Sequence, residues 1–86
     1  MHEWVATPEF IEVYKRLDDR RAAVVDDAVR KLLRNPQDSW ARQGRVVGER
    51  WSAWIVEFRG AGREFALYWT HGDADDVVIL AFLAVR

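Results

Sequence analysis

Trp51-Ser52-Ala53-Trp54-Ile55-Val56-Glu57-Phe58-Arg59, then Gly60-Ala61-Gly62, then Arg63-Glu64-Phe65-Ala66-Leu67-Tyr68-Trp69-Thr70-His71 is the stretch on which the fold turns. Large apolar residues recur at every second position: Trp54, Val56 and Phe58, then Phe65, Leu67 and Trp69. A period of two is the signature of a strand with one buried face, and the glycine-rich triplet between the runs reads as a hairpin loop. A second turn, Gly72-Asp73-Ala74-Asp75-Asp76, leads into Val77 to Val85, an unbroken apolar run. Such a run predicts a strand buried on both faces and central in its sheet.

Upstream of the hairpin the period lengthens. Phe10, Val13, Tyr14 and Leu17 fall on one face of a helix over about 8–17, opened by Thr7 as N-cap and Pro8 in the first turn. Ala22, Val25, Val29, Leu32 and Leu33 give a second helical stripe over about 19–34, capped by Asp18-Asp19 and stopped at Asn35-Pro36. Residues 2–6 read as a short strand, 37–44 as irregular and Arg45-Val46-Val47 as another short strand. The predicted order is β-α-α-β-β-β-β: an α+β, two-layer domain with a helix hairpin on a mainly antiparallel sheet, spanning 1–86 as one unit. Trp54, Val56 and Phe58 are expected against the helices.

Composition narrows the function. In 86 residues, 50% are hydrophobic and 13% aromatic, which excludes a disordered chain. The absence of cysteine excludes a disulfide scaffold, a thiolate metal site and a cysteine nucleophile. Met1-His2-Glu3-Trp4 does not read as a secretory leader and no apolar run is long enough to span a bilayer, so a cytoplasmic protein without membrane contact is expected. The net charge of -1 hides an asymmetry: residues 42–63 carry Arg42, Arg45, Arg50, Arg59 and Arg63 against Glu49 and Glu57.

Common enzyme signatures are absent. There is no glycine-rich nucleotide loop, no H-E-x-x-H and no G-x-S-x-G. His2 and His71 lack a third ligand, and Asp73, Asp75 and Asp76 lack the rest of a calcium loop, so no metal or other cofactor is expected. Asp26 and Asp27 read as a solvent face paired at i, i+4 with Arg30 and Lys31. The arginines are the informative set. Arg59 shares a strand face with Glu57, Arg63 lies across the turn and Arg86 leaves the last strand. Strand-anchored arginines converging on one face suit phosphate binding; ordinary surface ion pairs are the plain alternative. Trp40, Trp51 and Ile55 have no obvious core position and flank arginines, as a surface for an acidic amphipathic partner would; capping of the sheet end is the alternative.

Four segments in order carry a family resemblance: Leu32-Leu33-Arg34-Asn35-Pro36, Trp54-Ile55-Val56-Glu57-Phe58-Arg59, Phe65-Ala66-Leu67-Tyr68-Trp69 and Val77-Val78-Ile79-Leu80. Together they resemble the RelE/ParE toxin superfamily of type II toxin–antitoxin systems. The resemblance implies a toxin neutralised by a cognate antitoxin, acting either as a ribosome-dependent mRNA endonuclease or, in the ParE-like branch, on DNA gyrase. It implies catalytic roles for Arg59 and Arg86; RNA cleavage of this kind needs a base, for which Glu57 is the candidate, and Arg63 and Arg45 of the arginine set are the candidate substrate-binding residues. His71 is a weaker candidate acid. Ala66 stands where the family's strand carries an arginine and Trp69 where it carries a tyrosine. A non-catalytic binding protein on the same fold, a gyrase inhibitor or an antitoxin-binding homologue, is therefore the alternative.

Overall fold

A computed structural model of the chain describes residues 3–73 and 77–86; His2, Asp75 and Asp76 lie outside the described residues. The elements are β1 (Glu3–Ala6), α1 (Pro8–Tyr14), α2 (Asp19–Arg34), a short 3-10 turn (Ser39–Arg42), β2 (Gly44–Val47), β3 (Ser52–Gly60), β4 (Arg63–His71) and β5 (Val77–Val85). They form a five-stranded sheet in the order β1-β5-β4-β3-β2 with both helices on one face, α1 over β5 and α2 over β3. β1 runs parallel to β5 and every other pairing is antiparallel. This is the α+β, two-layer order expected from the sequence.

Helix ends follow from their caps. Thr7 Oγ1 accepts the Phe10 N–H at 3.2 Å and donates to the Ala81 carbonyl at 2.6 Å. One threonine thus starts α1 and ties it to β5, at the extra residue where the β4–β5 register slips between Tyr68 and Trp69. Asp18 Oδ1 accepts the Arg21 N–H at 2.9 Å and opens α2. That cap sets the limit of α1, which ends at Tyr14 rather than Leu17. The chain must turn before Asp18, and bonds from the Arg16 and Leu17 N–H groups to the Val13 and Tyr14 carbonyls tighten it. Leu17 still packs on the core.

The core lies between the helices and the alternate residues of β3, β4 and β5: Val25, Leu32 and Phe10 above, Val56, Leu67, Trp69, Leu80 and Leu83 below. Trp54, Val56 and Phe58 face the helices as the alternation predicts. Trp54 is only half-buried, whereas Trp69 is 0% exposed and donates its indole N–H to the Ala41 carbonyl at 2.7 Å. β5 departs from expectation. It is an interior strand but buried on one face only, with Phe82 44% exposed, because the helices cover a single side of the sheet.

Two polar details also differ from the helical-spacing expectation. Asp27 pairs with Arg30 at 3.0 Å, three residues on, and Lys31 lies over the Trp40 ring at 4.3 Å. Asp26 instead accepts the Tyr14 hydroxyl at 2.7 Å and so joins α1 to α2. That bond, then burial and the carboxylate's charge, raise the Tyr14 hydroxyl above its ordinary pKa, against a smaller opposing effect of Arg30. A raised value in the folded state means the contribution is complete below the unfolded value of about 10 and is lost as pH rises through the folded one. Tyr14→Phe is expected to cost ~0.5–1.5 kcal/mol at neutral pH, a difference that shrinks above about pH 10 in urea denaturation. Trp69→Ala is expected to cost ~3–5 kcal/mol, more than Trp54→Ala, because only Trp69 leaves both a closed cavity and an unpaired buried carbonyl. Equal midpoint shifts would contradict that ranking.

Candidate functional site

The strand register fixes which side chains share the uncovered sheet face. Arg59 pairs with Glu64 across β3 and β4, and the Arg86 N–H donates to the Glu64 carbonyl at 2.8 Å, extending β5 by one residue. Arg59, Glu64 and Arg86 therefore stand abreast. The next row is Glu57, Ala66 and Ala84, and the one beyond it is Ile55, Tyr68 and Phe82. Three expected residues, Glu57, Arg59 and Arg86, are thus brought to one end of one face.

Arg63 and Arg45 are placed elsewhere. The hairpin turn has two central residues, Ala61 and Gly62, both with positive φ, so Gly60 pairs directly with Arg63. Paired residues share a face, and Gly60 faces the helices: a Cβ there would come within 2.6 Å of the Val24 side chain. Arg63 follows it to the helix side of the sheet. Arg45 pairs with Trp54 and lies 4.9 Å from that indole, also on the helix side. His71, at the other end of β4, is roughly 23 Å from Glu64 at about 3.3 Å per residue. Its Nε2 lies 3.4 Å from Arg42 Nη2, so it is not within reach of a phosphate held at Arg59.

Charge at the row is nearly balanced. Arg59 Nη2 donates to Glu64 Oε1, and the Arg59 side chain remains 81% exposed. An exposed pair of this kind is worth ~0–1 kcal/mol, less than a bidentate guanidinium–phosphate contact provides, so Glu64 orients Arg59 without locking it away from an anion. Glu57 is held through its backbone. Gln43 Oε1 accepts the Glu57 N–H at 3.0 Å and Gln43 Nε2 donates to the Glu57 carbonyl at 3.2 Å, taking the place of a strand partner beyond the end of β2. The carboxylate is left exposed on the open face.

The expected partner surface divides in two. Trp51, 59% exposed, and half-buried Ile55 lie on the open side with Tyr68 and Phe82, whose rings meet at 5.9 Å. Trp51, Ala53, Tyr68 and Phe82 border a mainly apolar hollow of about 470 Å³. Trp40 sits on the helix side, half-buried against the core beneath Lys31. Sequence reasoning missed Glu64 and Phe82. Glu64 was available from the two-residue turn, which places it opposite Arg59; Phe82 was concealed inside an apolar run read as wholly buried.

The fold is RelE-like. A chain of the intact E. coli RelBE toxin–antitoxin complex superposes with a TM-score of 0.74 over 98% of this chain and 95% of that chain, at 13% sequence identity. Comparison with protein-family models finds no match, and comparison with curated proteins finds none either. Among the described residues no helix is long and apolar enough to cross a membrane. Because the Arg59–Glu64 pair is exposed, Glu64→Gln is expected to change stability by less than about 0.5 kcal/mol in urea denaturation. A larger loss would make the row a structural bridge.

Proposed function

We propose that this chain is the toxin of a type II toxin–antitoxin pair and cleaves mRNA on the ribosome at the Arg59–Arg86 end of its open sheet face. The observation that carries the reading is the row of Arg59, Glu64 and Arg86, beside Glu57, on the face that the helices of this RelE-like fold leave uncovered. Strand-anchored guanidiniums are suited to hold a phosphodiester and the extra charge of its transition state. Glu57 takes the proton from a ribose 2′-hydroxyl; the 2′ oxygen bonds to phosphorus, the bond to the 5′ oxygen breaks and that oxygen takes a proton from water. Positioning and electrostatics suffice for this internal attack, with no metal and no organic cofactor.

The antitoxin covers the apolar end of the same face, over Trp51 and Ile55, and reaches Trp40 only by passing around the edge of the sheet. Arg63 and Arg45, on the other side of the sheet, contact RNA outside the scissile step. The setting is cytoplasmic, where ribosomes are met.

A second reading, a non-catalytic binder of DNA gyrase, draws on the apolar residues Ile55, Ala66, Tyr68 and Phe82 that fill the rest of the face. Induced expression followed by primer extension on a reporter mRNA separates the two. Growth arrest with new message ends is expected, reduced about 10²–10³-fold by Arg59→Ala. Arrest with intact message and inhibited supercoiling would favour gyrase; unchanged growth and intact message would remove both. Trp51→Ala is expected to weaken antitoxin affinity by ~2 kcal/mol in titration calorimetry while the fold persists.

A further inference from the structure

At the opposite end of the sheet, where β2 and β4 end and β3 begins, a cleft of about 510 Å³ is bordered by Arg45, Val47, Arg50, Trp51, Ser52, Thr70 and His71. All of these side chains except Val47 can donate a hydrogen bond, and none is a carboxylate. Among the described residues, Arg42, Arg45 and Arg50 have no ion-pair partner, as is also true of Arg20, Arg34, Arg63 and Arg86. Arg42 and Arg45 instead crowd the same indole, 4.8 and 4.9 Å from the Trp54 ring. Arg45 Nη2 also donates to Ser52 Oγ at 3.1 Å, which fixes its guanidinium at the cleft.

His71, at the edge of the cleft, is in contact with Arg42. Arg42 Nη2, which can only donate, lies 3.4 Å from His71 Nε2. Nδ1 is buried and has no hydrogen-bond partner. Guanidiniums without counter-charge beside hydroxyls describe a site that lacks an anion.

Beside this cleft lies an open aromatic surface. The Gly48 N–H donates to the Trp51 carbonyl at 2.8 Å, and a Cβ on Gly48 would come within 2.5 Å of Trp51 Nε1. The indole therefore lies directly on the glycine backbone. Guanidiniums next to an exposed ring are the combination that grips a phosphate and stacks a base.

We propose that this cleft is a nucleoside-phosphate site, separate from the Arg59–Arg86 row: phosphate oxygens between Arg45 and Arg50, the base on Trp51. The same chemistry is offered by a free nucleotide and by the phosphorylated end of a single-stranded nucleic acid. An acidic peptide matches the charge as well, and its competition with the nucleotide is one arm of the test.

The test is titration of the isolated protein, followed by calorimetry, with 5′-AMP, adenosine and inorganic phosphate. Binding of 5′-AMP that weakens with added salt is expected, with adenosine about tenfold weaker or worse. Arg50→Ala, whose side chain is stacked on no core ring, is expected to weaken 5′-AMP about tenfold, and Arg45→Ala similarly, with circular dichroism reporting the fold. Gly48→Ala, which displaces the indole, is expected to weaken 5′-AMP and leave inorganic phosphate unchanged. A trinucleotide with a 5′-phosphate that binds tighter than 5′-AMP assigns the site to nucleic-acid ends; equal affinity assigns it to free nucleotides. Failure of 5′-AMP to bind, equal binding by wild type and folded Arg50→Ala, or displacement of 5′-AMP by a tighter-binding glutamate-rich peptide would overturn the proposal. Growth arrest plays no part in this readout, so failure of this site is distinguishable from failure of the toxin reading, although the two share Arg45 and Trp51.

Discussion

The hydrogen bond from the Trp69 indole to the Ala41 carbonyl anchors the path of the chain between the helices and the sheet. A tryptophan with no solvent exposure must find an acceptor for its N–H, and the acceptor here belongs to the short 3-10 turn after Pro36. Fixing that turn places the residues on either side of Ala41. Trp40 goes beneath Lys31; Arg42 donates its Nε–H to the Pro36 carbonyl and reaches His71; Gln43 meets the backbone of Glu57. The edge of the sheet, the cationic end and the support under Glu57 all depend on one buried indole in a neighbouring strand.

The helices and strands were legible because their signals are local. Asp18 and Asn35-Pro36 bracket α2, and alternation from Trp54 to Trp69 marks the hairpin. What was not legible depends on pairing. Arg63 was read with Arg59, but a two-residue turn in place of a three-residue one sends it to the other face. Trp54 and Trp69 look alike in the sequence. Only the position of β4 at the middle of the sheet makes Trp69 the buried one and leaves Trp54 at the rim, between two arginines. Phe82 belongs to a run with no polar residue to show which side faces water.

The same distinction governs the candidate site. Glu57, Arg59 and Arg86 could be named from strand position and are brought to one face, whereas Glu64 becomes visible only with the register. Two ends of one sheet have acquired different electrostatic characters. At Arg59 and Arg86 the cations flank a carboxylate; at Arg42 and Arg45 they are stacked on indoles and left without one. Shared folding at 13% identity shows how little of the sequence the backbone itself dictates.

Gln43 carries a last consequence. The Glu57 amide lies on a strand edge beyond the reach of β2, and a side chain rather than a neighbouring backbone protects it. Backbone amides within β3 and β4 exchange with solvent deuterium only when the sheet opens, but this one exchanges whenever the turn carrying Gln43 lifts away. The Glu57 amide is thus a natural gauge of that local opening. Its protection measures how often Gln43 leaves that amide while the rest of the sheet remains closed.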